Sequence, residues 1–230
     1  MMTMMKMTGG KKKPSSNKNR FLMLAPHTDD IELGCGGTIA RLLEEEEEEG
    51  EIHIAVFSTA EKSVPAGFPK TALRDEFYNA MSILGLKKKE RLKVYDYEVR
   101  TLSYHRQEIL DELIALKKSI DPDMVFLPSS EDLHQDHQTL YNEGLRAFKE
   151  ITLWGYELPW NTITFPTRGF VTLKKRHVQK KWKALQAYKT QFAANRLYFS
   201  LDYIMGIAKV RGIQVRSEYA EAFDVIRVKW

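Results

Sequence analysis

A chain of 230 residues with 43% apolar content can bury one sizeable core, and an α/β domain of this length need not divide in two. The formal charge of +4 originates in residues 1–20, which hold five Lys, one Arg and no acid; without those six cations the remainder carries −2, which implies no nucleic-acid partner. Cys35 is the only cysteine, which excludes an intramolecular disulfide and a cysteine-based zinc cluster and fits a reducing compartment, the cytoplasm.

Residues 1–20 read as a disordered, Lys-rich tail, because Gly, Pro, Ser and Asn bury too little surface to offset the entropy of ordering. No stretch resembles a signal peptide, and none approaches the roughly 18 apolar residues of a membrane span. Residues 21–230 then alternate short apolar runs with longer amphipathic ones. That alternation predicts one α/β catalytic domain, Rossmann-like, with a mainly parallel sheet and helices on both faces. Phe21 to Ala25 is the first strand, followed by a loop and a helix from Thr38 to Glu49 that stops before Gly50. Ile52 to Phe57 is the second strand, Thr71 to Leu84 a helix ended by Gly85, and Leu92 to Tyr95 a short strand. Tyr104 to Ser119 is helical, Asp121-Pro122 breaks the chain, Met124 to Leu127 is a buried strand and Gln135 to Lys149 the helix after it. Beyond residue 150, Pro159, Pro166 and scattered aromatic residues interrupt any period until a helix near Val178 to Tyr188. Glu44 to Glu49 lie on the last turns of a helix, where negative charge opposes the macrodipole, and read as a solvated face.

Two clusters carry chemistry. Ala25-Pro-His27-Thr-Asp29-Asp30 stands where the first strand ends, the carboxyl edge at which open α/β sheets bind ligands. His27 and Asp30 can turn towards one metal ion, leaving Asp29 unligated. Asp132-Leu-His134-Gln-Asp136-His137 follows the Met124 strand at the same edge. Two histidines and a carboxylate leave a coordination position open to water, as in catalytic rather than structural zinc sites, and zinc lowers the pKa of such a water to about 7.

The pair of motifs Pro26-His-Thr-Asp-Asp-Ile-Glu-Leu-Gly-Cys-Gly-Gly-Thr38 and His134-Gln-Asp-His137 resembles that of LmbE-like proteins and N-acetylglucosaminyl-phosphatidylinositol deacetylases. The resemblance extends over nearly all of 21–230, including Tyr156-Glu-Leu-Pro-Trp160 and Tyr219-Ala-Glu-Ala-Phe223. It implies a zinc-dependent hydrolase that takes the N-acetyl group from an amino sugar, free, nucleotide-linked or glycan-linked. His27, Asp30 and His137 would be the zinc ligands and Asp29 the general base. His134 would protonate or stabilise the tetrahedral intermediate, with Asp136 orienting His134 and favouring its charged form. Arg74 resembles a family arginine that faces the substrate. Thr28 departs from the proline many members carry, which leaves the loop less rigid.

Other readings stand beside this one. An amidase acting on a thiol conjugate is the nearest, since some relatives resemble that type. His27, Asp29 and a distant histidine also spell the iron triad of an oxygenase, although such enzymes favour jelly-roll frameworks. A metal-binding module without turnover uses the same residues. Gly34-Cys-Gly-Gly37 lacks the full dinucleotide fingerprint and is taken as a tight loop beneath the metal site. His53, His105 and His177 read as structural or solvated, Cys35 as packing, and Tyr156, Trp160 and Phe165 as faces for a sugar ring or equally as core or a subunit interface. Iron or another divalent ion could replace zinc at such ligands, and a homo-oligomer is expected from base rates alone.

Overall fold

The computed structural model describes residues 19–230. Seven strands form one sheet: β1 (Asn19–His27), β2 (Gly50–Ser58), β3 (Leu92–Val94), β4 (Met124–Pro128), β5 (Thr152–Tyr156), β6 (Gly169–Leu173) and β7 (Tyr219–Arg227). Their order is β3-β2-β1-β4-β5-β7-β6. β1 to β5 run parallel, and β7 is antiparallel to both its neighbours. The chain leaves β1 in one direction to β2 and β3, then returns to β4 on β1's other side. A crevice therefore opens at the carboxyl ends of β1 and β4, where the two connections diverge.

The helices are α1 (Asp30–Glu49), α2 (Ala72–Leu84), α3 (Arg106–Ile120), α4 (Gln135–Ala147), α5 (Lys175–Leu185), α6 (Lys189–Ala193) and α7 (Leu201–Gln214). Met23, Ala25, Ile54 and Val56 face a core that includes Ile31 and Ile39 of α1, Phe77 of α2 and Leu185 of α5. Leu22, Leu24, Ala55 and Phe57 face the opposite core, with Ile109 of α3 and Leu140 of α4. Because successive side chains alternate between two covered faces, the central runs Leu22 to Ala25 and Ile54 to Phe57 are apolar at every position rather than every second one.

Two sequence expectations change. Asn19 and Arg20 belong to β1, not to a tail, and Arg20 pairs with Asp121 and Asp123; the rest of the proposed tail lies outside the described residues. Helix α1 starts at Asp30 rather than Thr38, so the glycine run is helical and not a loop. A glycine inside a helix costs about 1 kcal/mol relative to alanine, and here close packing requires it. A Cβ on Gly34 would stand 2.5 Å from the ring of the fully buried Tyr156, and one on Gly37 would stand 2.4 Å from Leu173. Gly34→Ala is expected to lower the melting temperature, because overpacking costs about 1–3 kcal/mol and Tyr156 is anchored through its hydroxyl to the Leu24 carbonyl. A melting curve at or above wild type would show that the ring has room to yield.

The region after residue 150, where no period was legible, supplies three strands and the short α6 as well as α7. The helix expected at Val178 to Tyr188 begins earlier, at Lys175. Its buried Lys181 donates to the Leu33 carbonyl and to Glu221, whose carboxylate accepts the main-chain N–H groups of Gly37 and Thr38. Glu44 does not simply face water, since it pairs with Arg176 and His177.

Candidate metal centre and active site

His27 ends β1, Thr28 and Asp29 make the turn, and Asp30 opens α1. Across the crevice, Asp132 and His134 lie in the loop after β4, and Asp136 and His137 in the first turn of α4. Topology thus brings both clusters to one place, and carboxylates at the two helix N-termini are electrostatically favoured there. Tyr188 fixes the intervening turn, its hydroxyl bonding the Thr28 carbonyl and Glu32.

Three atoms face one another at nearly equal spacing. His27 Nδ1 is 3.2 Å from Asp30 Oδ2, His137 Nε2 is 3.3 Å from the same oxygen, and the two nitrogens are 3.3 Å apart. A tetrahedron with the 2.0–2.1 Å bonds of zinc has edges of about 3.3 Å. The outer ring nitrogens are held by carboxylates: Asp132 Oδ2 lies 2.8 Å from His137 Nδ1, and Asp136 Oδ2 lies 2.8 Å from His27 Nε2. Such carboxylate–histidine pairs select the tautomer that turns a lone pair inward. The donor set fits a divalent cation. His27, His134 and His137 also cluster, but their ligand atoms are spread over as much as 4.8 Å, so Asp30 completes the tighter triangle.

The electrostatics agree with a site built for positive charge. Burial alone would lower the pKa of His27, yet Asp136 and Asp30 outweigh it and raise it to about 9. His137 is likewise raised, to about 10, by Asp30 and Asp132 against the effect of burial. Asp30, despite burial, is held well below the ordinary carboxylate range by His137 and His27. Asp29 moves the opposite way, upward, because it is buried and beside the Asp30 charge.

Two expectations for this cluster need correction. The Asp136 carboxylate does not orient His134. It serves His27 and accepts the main-chain N–H groups of Arg100 and Leu102, while the Asp136 main-chain N–H donates to His134 Nδ1 at 3.2 Å. Nor does the charged form of His134 prevail: Asp136 does favour it, but burial and the neighbouring His137 and His27 outweigh that effect and push its pKa down to about 4. With Nδ1 accepting, a neutral ring carries its proton on Nε2.

His27, Asp29, Asp30, His134 and His137 line one cavity of about 340 Å³. Arg74 does not; it pairs with Asp96 in an adjoining cavity that shares Val99 as a wall. Arg100, Arg196, Tyr198, Asn161 and Gln191, none of which stood out in the sequence, do line it. Asp132 stood in the quoted cluster without a role, although an aspartate five residues before a candidate ligand histidine was a usable signal. Trp160 lines the cavity and stacks on Tyr198 at 3.9 Å, whereas Tyr156 is fully buried core and Phe165 lies near Arg211. His177 bonds the Lys174 N–H and Glu44, His105 bonds Glu108, and His53 pairs with Glu51. Cys35 is buried. Asp132→Asn should weaken metal binding about 10–100-fold by loosening His137, measurable by competition with a coloured chelator; unchanged affinity would remove Asp132 from the metal's support.

Residues 22–148 match the GlcNAc-PI de-N-acetylase family, PIG-L. An Escherichia coli K12 protein described as the uncharacterized deacetylase YaiS is 30% identical over 182 residues, 76% of this chain and 94% of that protein. The fold is that of the N,N'-diacetylchitobiose deacetylase of Pyrococcus horikoshii, with TM-score 0.73, 20% identity and coverage of 90% of this chain and 84% of that one. It is equally that of GalB, the 4-carboxy-2-hydroxymuconate hydratase of Pseudomonas putida KT2440, with TM-score 0.71, 18% identity and coverage of 92% and 98%. Fold alone therefore does not select the reaction, and the site must. No helix among the described residues is long and apolar enough to cross a membrane. From its sequence match and the paired His-Asp clusters at the β1–β4 crevice, the chain belongs to the GlcNAc-PI de-N-acetylase family of hydrolytic deacetylases.

Proposed function

We propose that this chain hydrolyses the N-acetyl group of an amino sugar with the aid of a divalent ion, zinc in our reading, held by His27, Asp30 and His137. The observation that carries the proposal is the 3.2–3.3 Å triangle of donors with a separate carboxylate, Asp29, on the wall of the same cavity. When bound, such an ion polarises the amide carbonyl and acidifies a coordinated water.

The chain's own groups supply the rest. Asp29 takes a proton from the attacking water as its oxygen bonds to the carbonyl carbon. The upward shift of Asp29 makes it a better base than an ordinary carboxylate, and lets it return that proton to the nitrogen as the C–N bond breaks. His134, neutral with its proton on Nε2, donates a hydrogen bond to the oxyanion that develops on the former carbonyl oxygen. Acetate and a free amine are the products. The test is acetate release from a panel of N-acetylamino sugars, free and nucleotide-linked, by zinc-loaded protein. Release from at least one is expected, and none from any member would overturn the assignment.

A further inference from the structure

Arg100 and Arg196 approach the cavity from opposite parts of the chain, one before α3 and the other after α6. Among the described residues no ion pair joins either guanidinium to a carboxylate. Arg74, Arg106, Arg168, Arg176 and Arg211 by contrast each have one. Of the acids on the cavity wall, Asp30 is engaged by His27 and His137, and Asp29 forms no ion pair with either arginine.

The backbone at Arg100 adds a second observation. Its φ of +69° is in the left-handed region that side-chain-bearing residues avoid. Its N–H donates to Asp136 Oδ2 at 2.6 Å, the same oxygen that lies 2.8 Å from His27 Nε2. The N–H contact explains the turn but not the arginine, because glycine would make the same bond at lower cost. What arginine adds is a planar cationic fork, matched to phosphate or carboxylate, on a residue of the cavity wall.

We propose that Arg100 and Arg196 form an anion-binding subsite, so that the substrate is an N-acetylated amino sugar bearing a phosphate or carboxylate. This rests on the deacetylase reading for the sugar amide, but the subsite is tested by binding alone. Calorimetry on the Asp29→Asn variant compares N-acetylglucosamine, N-acetylglucosamine 1-phosphate and N-acetylmuramic acid. One of the two acids is expected to bind at least about tenfold tighter than the neutral sugar, as for charge-assisted contacts at a solvent-accessible site. Which acid gains identifies the anion, and the gain should shrink in about 0.5 M salt.

Arg100→Gly and Arg196→Gln, each added to that variant, should cut the ratio of acid to neutral affinity by about tenfold. Arg100→Gly keeps the N–H to Asp136 and relieves the positive φ, so a melting temperature no lower than its parent verifies the fold. Equal affinity for all three sugars, or a ratio that neither substitution changes, overturns the subsite. Discrimination that persists while wild-type protein releases no acetate supports the subsite and removes only the deacetylase reading.

Discussion

Asp29→Asn is expected to lower kcat by about 10²–10⁴-fold, the usual contribution of a positioned general base, with metal content unchanged. Asparagine has nearly the same shape, the Tyr188 contact to Thr28 still pins the turn, and Asp29 is not a corner of the donor triangle. Acetate release measured beside metal content separates the roles: loss of both would make Asp29 a ligand, and loss of neither would remove it from the reaction. Its raised proton affinity adds a stability signature. A carboxyl whose folded pKa exceeds its unfolded one binds more protons when folded, so stability declines as pH rises through the interval between them. The metal-free Asp29→Asn protein should therefore melt above wild type at about pH 8, and the difference should shrink on acidification and vanish only below about pH 3, where the carboxyl is protonated in both folded and unfolded chains.

His137→Ala is expected to abolish both metal retention and turnover. The ring supplies the Nε2 corner of the triangle, and its Nδ1 lies against the buried Asp132. Removing it leaves the buried carboxylates of Asp132 and Asp30 short of a partner, and an uncompensated buried charge is costly. The loss of affinity should exceed the 10–100-fold expected for a supporting carboxylate. Metal analysis after dialysis, with chelator competition, measures it. A variant that keeps one equivalent at wild-type affinity, while His134→Ala loses it, would shift the ligand set to the histidine that caps α4.

The clusters at 27–30 and 132–137 were legible because each is local and each follows an apolar run at a predictable sheet edge. Elements before residue 150 were legible for the same reason: covered strands read as continuous apolar runs and helices as periodic ones. Helix α1 was read eight residues short because Gly34, Gly36 and Gly37 look like loop until Tyr156, Lys181 and Leu173 are seen against them. Strands β5 and β6 escaped notice because each is only five residues long and Pro159 and Pro166 stand between them, and β7, though nine residues long, has its apolar run interrupted by Glu221 and Asp224.

From local order alone, then, came the α/β class, the His-Asp clusters and the edge on which they would meet. Only the tertiary structure decided which carboxylate serves which histidine: Asp136 is near His134 in sequence, yet its carboxylate reaches His27, 109 positions away. It also placed Arg100 and Arg196 in the cavity and drew Arg74 to Asp96 outside it. The reason is physical. A motif states which groups are available within a few residues of one another, whereas hydrogen-bond partners and cavity walls depend on where separate strands and helices bring distant side chains.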